Sequence, residues 1–277
     1  MQTLRRRGKP LSIHLLMAIV VLINLFPIYY MVTASLKADA AELVNNPFGL
    51  PANPSLAHYA VLPIEKGFLR LFVNSAIVTA GSVVLALAAA CPAAYAIARL
   101  RFWGRQVLFD FITSLMAIPI IVVIIPVFVL MSNLKLINQY PSAIIVYVGF
   151  ILPFAIFILT SFFRSIPPEL LDAARMDGAG DLVILVKIIL PLAKAPLATL
   201  AIVNGLWVWN DLLVAMMFLQ SEEMKTLMAG LASFSGRNVR DIPLIMAGSV
   251  FVSIPTLLLL VSGQKYFVKG LTTGAVK

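Results

Sequence analysis

The sequence is poor in the residue types from which most active sites are built. Among 277 residues there are one cysteine and two histidines. Cys91 lies in an apolar run and has no second cysteine to pair with, so it supports neither a disulfide nor a cysteine-based metal site. It reads as a small buried hydrophobe. His14 and His58 are too far apart to suggest a metal, and no metal ligands are expected. Charge is scarce as well: 12% of residues are Asp, Glu, Lys or Arg, against 61% apolar. That balance excludes a soluble two-domain protein and points to an integral membrane chain. The phosphate-cradling pattern G-x-x-x-x-G-K-[ST] is missing, and the nearest candidate, "DGAG" at 177–180, lacks both the lysine and the hydroxyl. The chain is therefore expected to hydrolyse no nucleotide itself and to carry no cofactor, and no catalytic constellation appears.

What is there is length and apolarity. Six stretches, about 11–33, 71–98, 108–131, 142–163, 196–219 and 243–262, are nearly free of charge and long enough to cross a hydrocarbon core of roughly 30 Å as helices. The expected fold is an all-α membrane protein of six transmembrane helices in a single transmembrane domain, 1–277. The first stretch follows "RRRGK" but no small-residue cleavage site follows it, so it reads as a retained anchor. The formal charge of +9 would suit nucleic acid, yet the bases fall in short loops between apolar runs. Membrane lipid, not nucleic acid, is the expected surroundings. Segments 1–10, 99–110, 164–195 and 264–277 hold 14 of the 21 Lys and Arg, and bases are retained on the cytoplasmic side. Both termini and the loop 164–195 are accordingly expected in the cytoplasm, and 34–70, 132–141 and 220–242 outside.

Pro27, Pro119, Pro126, Pro153 and Pro255 should bend or open their helices. Asn210 and Asp211 lie deep in the fifth stretch, roughly 20 Å from its start at the rise of an α-helix. An acid at that depth faces protein or water, so Trp209, Asn210 and Asp211 are candidates for a translocation pathway. An internal hydrogen-bonded role is the alternative. Asn24, Asn74 and Asn204 are weaker signals of the same kind, expected to bond between helices.

The most polar stretch is "PPELLDAARMDGAGDLVILVKIILP", residues 167–191. Pro168 suits a first helical turn, Glu169 and Asp172 favour a helix N-terminus, and "ELLDAARM" is made of good helix formers. Gly178 and Gly180 end that helix. Asp181 is placed to cap a second one, which Pro191 breaks. Ala173 and Ala174 are small enough to let the backbone approach another surface.

The spacing of "DAARMDGAGDLVILVKIILP" resembles the EAA signature of ABC-importer permeases: E-A-A, three residues, G, nine residues, I, one residue, L-P. Asp172, Ala173, Ala174, Gly178, Ile188, Leu190 and Pro191 stand at those positions, with Asp172 where the family usually has Glu. "NSAIVTAGSVVLALAAACPAAYAIARLRFWGR", "SFFRSIPPELLDAARMDGAG", "WNDLL" and "YFVKGLTTGAVK" extend the resemblance over nearly the whole chain, to the shorter, maltose-type permeases of the carbohydrate-importing branch. The resemblance implies a non-catalytic bacterial inner-membrane subunit that pairs with a second permease as a heterodimer. It also implies two ATPase subunits, which bind ATP and Mg, and an extracytoplasmic sugar-binding protein. It implies that Glu169, Asp172, Ala173, Ala174, Asp177 and Gly178 form a coupling helix seated in an ATPase cleft. Gly270, Thr272, Gly274 and Lys277 would belong to a tail that reaches between the ATPase subunits. A secondary transporter or channel is the alternative, and would predict ionisable residues deep in several helices.

Overall fold

The computed structural model describes residues 8–64, 67–237 and 241–275. It is helical, with no strand among the described residues. In chain order the helices are α1 Gly8–Ser35, α2 Ala40–Asn45, α3 Ala57–Val61, α4 Phe68–Arg99, α5 Arg105–Ser114, α6 Ile120–Asn133, α7 Tyr140–Ser165, α8 Pro168–Met176, α9 Asp181–Ile184, α10 Leu190–Leu192, α11 Lys194–Asn210, α12 Leu213–Phe218, α13 Leu227–Arg237 and α14 Ile242–Ala275.

Four helices are single pieces long and apolar enough to cross a membrane: Ser12–Ser35, Phe68–Arg99, Tyr140–Ser165 and Ile242–Val261. Two further stretches pass only as bent pairs. Arg105–Ala117 meets Ile120–Asn133 at 99°, and Asp181–Leu192 meets Lys194–Asn210 at 76°. The first bend falls at Pro119, whose extended backbone (φ −65°, ψ 135°) precedes α6. A proline cannot donate to the preceding turn, and it pushes the residue before it out of helical conformation; Ile118 is extended accordingly. The second bend follows Pro191. Ahead of it Leu185–Ile189 widens into a π-helical turn, in which Leu190 N–H reaches back to Leu185 O. A third interruption falls inside the fifth stretch, where α11 stops at Asn210 and α12 begins at Leu213. The 196–219 run is thus not one helix. Pro27, Pro92, Pro126, Pro153 and Pro255 all lie inside helices.

By contacts the chain forms two compact units. The first comprises 1–69 with 231–254. In it Phe68 packs edge-on against Phe234 and Phe251, at 5.5 and 5.8 Å between ring centroids. The loop after α1 is tightly bonded: Asp39 caps α2 by accepting from Glu42 N–H at 2.8 Å, and buried Lys37 donates to the Asn46 and Pro47 carbonyls. None of the most apolar part of α1 is buried within this chain.

The second unit comprises 70–230 with 255–277 and holds two apolar cores. One gathers Ala94, Tyr95, Ile97, Leu159, Phe163, Leu171, Ile184, Ile189 and Leu200. The other gathers Val78, Ile124, Val146, Tyr147, Val208, Val214 and Phe218. Asn74 joins three segments here: Nδ2 donates to the Glu223 and Lys225 carbonyls, both at 2.8 Å, and Oδ1 accepts from Tyr140 Oη at 2.7 Å. That is the interhelical bonding expected of it. Asn24, which is exposed, instead donates to Val20 O of its own helix. Asn204 is buried with Nδ2 unbonded among the described residues.

Candidate functional site

Helix α8 stands where its local chemistry puts it. Pro167 and Pro168 fix the entry, Glu169 sits in the first turn and Arg175 in the last, matching the sign of the helix dipole at each end. The helix ends in a Schellman motif. Gly178 takes φ +82°, its N–H bonds Arg175 O at 3.0 Å, and Ala179 N–H bonds Ala174 O at 3.0 Å. Only a residue without Cβ adopts that φ without strain. Open space surrounds the position where a Cβ would stand, so the constraint is conformational and not steric.

Of the residues of α8 only Leu171 is fully buried, in the same core as Ile166, Ile184 and Ile189. Burying one leucine contributes on the order of 1.5–3 kcal/mol. Ala174 packs against that core from its edge. Glu169, Asp172, Ala173, Asp177 and Gly178 are all exposed. The six coupling candidates therefore divide: five form an outward surface, while Ala174 serves the chain's own packing.

Asp172 is engaged within the chain. Arg175 Nη1 meets its Oδ1 at 3.2 Å, and Arg175 Nη2 meets Asp181 Oδ1 at 3.5 Å. Partial desolvation alone would lower the Arg175 pKa. The bond to Asp181, the Asp181 charge and the bond to Asp172 outweigh it and hold the group above its ordinary value. Asp181 does not cap α9 as expected; Gly180 occupies that position and makes no side-chain cap. The Asp181 carboxylate turns instead to Tyr95, whose Oη donates to it at 2.7 Å. Between the Arg99 end of α4 and α8 lies a cleft of about 430 Å³, lined by Arg99, Arg101, Leu171, Asp172 and Arg175.

The second candidate cluster lies at the break after α11. Asp211 leaves the helix with extended backbone (φ −72°, ψ 135°), and its Oδ2 accepts from Val214 N–H at 2.8 Å and from Tyr147 Oη at 2.9 Å. The first bond satisfies a donor at the start of α12 that the helix itself leaves unpaired. Asn210 is exposed; its Nδ2 donates to Leu206 O at 2.7 Å and its Oδ1 accepts from Thr256 Oγ1 at 3.3 Å. Trp209 is buried edge-on against Phe72, 5.4 Å between centroids. Its ring belongs to the interior of the chain, while Asn210 faces outward and Asp211 joins the two. Gly270, Thr272 and Gly274 lie along the backbone of α14, and Lys277 is outside the described residues. Among the described residues no group of three or more His, Cys, Asp or Glu is placed to hold a metal.

Sequence reasoning missed Tyr95, Arg99 and Tyr147. The first two carried a readable signal, since a tyrosine and an arginine four residues apart at the end of an apolar helix share one face. Tyr147 gave none, because its partner is 64 residues away.

Residues 82–272 match the family of binding-protein-dependent transport system inner membrane components. A putative ABC transporter permease protein, ORF2 of Caldicellulosiruptor sp. (strain Rt8B.4), is 36% identical over 94% of this chain and 94% of its own length. The melibiose/raffinose/stachyose import permease protein MelC of Bacillus subtilis is 33% identical over 96% of each. Among solved structures, a chain of a bacterial ABC transporter that imports the acidic polysaccharide alginate superposes with a TM-score of 0.84 at 28% identity, over 96% of this chain and 99% of that one. With the matched region covering more than half the chain and holding both α8 and the Asp211 break, the protein belongs to the binding-protein-dependent transport system inner membrane component family.

Proposed function

We propose that this chain, as one permease domain over 1–277, is a non-catalytic membrane subunit of an ATP-driven sugar importer and forms half of its translocation pathway. The observation that carries the reading is α8: an exposed, capped nine-residue helix, anchored by Leu171 and bearing Asp172 at the head of the EAA pattern, in a family of transport subunits. Sugar as cargo is supported by relatives such as the melibiose/raffinose/stachyose permease. In this reading Glu169, Asp172, Ala173, Asp177 and Gly178 form the part that seats in an ATPase subunit, with Ala174 packing beneath them against the chain's own core. The tail at Gly270, Thr272, Gly274 and Lys277 contacts the same ATPase pair. The ATPases bind ATP and Mg; this chain binds neither. A second permease covers apolar surface that this chain leaves open, α1 above all, and an extracytoplasmic binding protein delivers the sugar. Both termini and α8 face the cytoplasm.

Mechanistically the chain performs no bond chemistry. ATP binding closes the ATPase dimer, α8 moves as a rigid body with its seat, and the bundle changes between inward- and outward-facing states. The driving free energy is the difference in contacts between the two states. That demands a stiff coupling element, which the two prolines, the Schellman end and Leu171 supply. Asn210 and Asp211 mark where the fifth span is interrupted, a place where backbone and side-chain polar groups reach a cavity wall.

The test is uptake by vesicles holding the complete complex, with a panel of labelled mono-, di- and trisaccharides. ATP-dependent, binding-protein-dependent accumulation of at least one of them is expected. Uptake that persists without ATP, or is driven by an ion gradient, would favour a secondary transporter.

A further inference from the structure

We propose that the last turn of α4 grips both flanks of α8, so that the second span is driven directly by the coupling helix and not only through the two spans joined to it in sequence. The inference rests on the docking role of α8 proposed above.

Tyr95 and Arg99 are one helical turn apart and therefore point the same way. Each reaches a different side of α8. The Arg99 guanidinium donates to the carbonyls of Phe163 and Ile166, in the last turn of α7 and the turn leading into α8. Carbonyls at a helix end have no partner in their own helix, so this arginine completes the end of α7 while fastening it to α4. Tyr95, 4% exposed, donates to Asp181 Oδ1 at 2.7 Å, just past the end of α8. Asp181 in turn holds Arg175 at 3.5 Å, and Arg175 holds Asp172 at 3.2 Å. The run Tyr95–Asp181–Arg175–Asp172 leads from the interior of the unit to the acid at the head of the motif.

The links of this run differ in strength. Exposed ion pairs such as Arg175–Asp172 contribute little. A hydrogen bond from a buried hydroxyl to a carboxylate is charge-assisted and stronger, and it is the only one of the four groups in the run that is rooted in the core. Leu171, with Ala174 beside it, seats α8 on the core from one face, a pivot about which a short helix could turn. Two attachments, one on each flank, remove that rotation. Pro92 lies one turn before Tyr95 inside α4 and gives no N–H to the preceding turn. The gripping turn is thus joined to the rest of α4 across a missing backbone bond, where a push from α8 is most readily converted into a bend. Tyr95, Arg99 and Asp181 are positioning residues: they act on the pathway through α8 and α4 and touch no substrate.

The experiment uses the complete complex in vesicles, with subunit stoichiometry and thermal unfolding checked for every variant. ATP hydrolysis is measured with and without sugar-loaded binding protein, together with sugar transported per ATP. Tyr95→Phe removes the donor, and Asp181→Leu removes the acceptor from a half-exposed side chain of similar size. In each, assembly and basal hydrolysis are expected to match the parent, with at most a small drop in unfolding temperature, while the stimulated-to-basal ratio and sugar per ATP fall at least about fivefold, the low end of coupling between sites. The double variant should be no worse than either single one, because both break the same link; Asp181→Glu should recover most of the loss. If Tyr95→Phe prevents assembly, Asp181→Leu carries the test by itself. Parent-like stimulation and stoichiometry in the single variants, or losses that multiply in the double one, would overturn the link while leaving the importer reading intact. A parent complex without ATP-driven uptake would overturn that reading and the link with it.

Discussion

Helix α8 and the Asp211 break each place acids beside or within the apolar spans of this chain, and they are built in opposite ways. Asp172 is exposed, its side chain 68% accessible, and is paired with Arg175 on the same helix. Asp211 is half-buried and accepts from a backbone N–H and from a buried tyrosine that belongs to another helix. The first acid is held loosely enough to exchange its partner. The second is integral to how one helix ends and the next begins. An acid's distance along a hydrophobic run therefore says that it must be satisfied, but not by whom. An internal hydrogen-bonded role for Asp211 and a place on the pathway are compatible, since the same residue that accepts from the first turn of α12 adjoins exposed Asn210.

Accessibility gives the most complete separation between regions. With Met176→Cys on the outward face of α8 and Glu223→Cys on the loop after α12, an impermeant thiol reagent applied to intact cells should label position 223 and spare 176 until the membrane is opened. The reverse pattern would break the proposed orientation.

Next in size is Asp172→Lys. It would place like charges at a contact where truncation alone commonly costs about 2–5 kcal/mol, so stimulated ATP hydrolysis and uptake should fall together by more than tenfold in purified complexes. Asp172→Glu should be tolerated. If the lysine variant assembles and transports like the parent, Asp172 is a surface residue and the contrast with Asp211 disappears.

Asp211→Leu comes third. It leaves the Tyr147 hydroxyl and the Val214 N–H without their acceptor, at about 1–3 kcal/mol for each buried group left unsatisfied. Here stability should drop with transport, read as a lower unfolding temperature of the detergent-solubilised complex, whereas Asp172→Lys should leave that temperature unchanged. Equal stability in both variants would show that the Asp211 bonds contribute nothing to the fold.

Gly178→Val is expected to cost about 1–2 kcal/mol through its positive φ, a local loss seen as weaker coupling with normal insertion. The smallest effect belongs to Asn210→Leu. Its Thr256 bond is long at 3.3 Å and exposed, so unfolding should shift by less than about 1 kcal/mol, and any loss of uptake beyond that would assign Asn210 to the pathway itself.

Much of this was legible in the chain. Runs of about twenty apolar residues identify spans because the hydrocarbon core has one thickness. Pro168 and Gly178 delimit α8 because φ restriction and φ freedom are properties of single residues, read without knowing any neighbour. The EAA spacing likewise pointed to the family. Hydropathy, however, carries no direction. The 99° elbow before α6 and the stop at Asn210 lie within stretches whose average apolarity is uninterrupted, whereas the 76° bend before α11 falls just after Pro191, where the sequence already marks a break. Asp181 looked like a helix cap from its neighbours and turned out to answer a tyrosine 86 residues away. Local pattern decided which segments are helices, where α8 starts and ends, and that the chain lives in a membrane. Only the tertiary structure decided which carboxylate meets which hydroxyl, because a buried donor takes the acceptor that packing brings within about 3 Å, and no spacing along the chain encodes that choice.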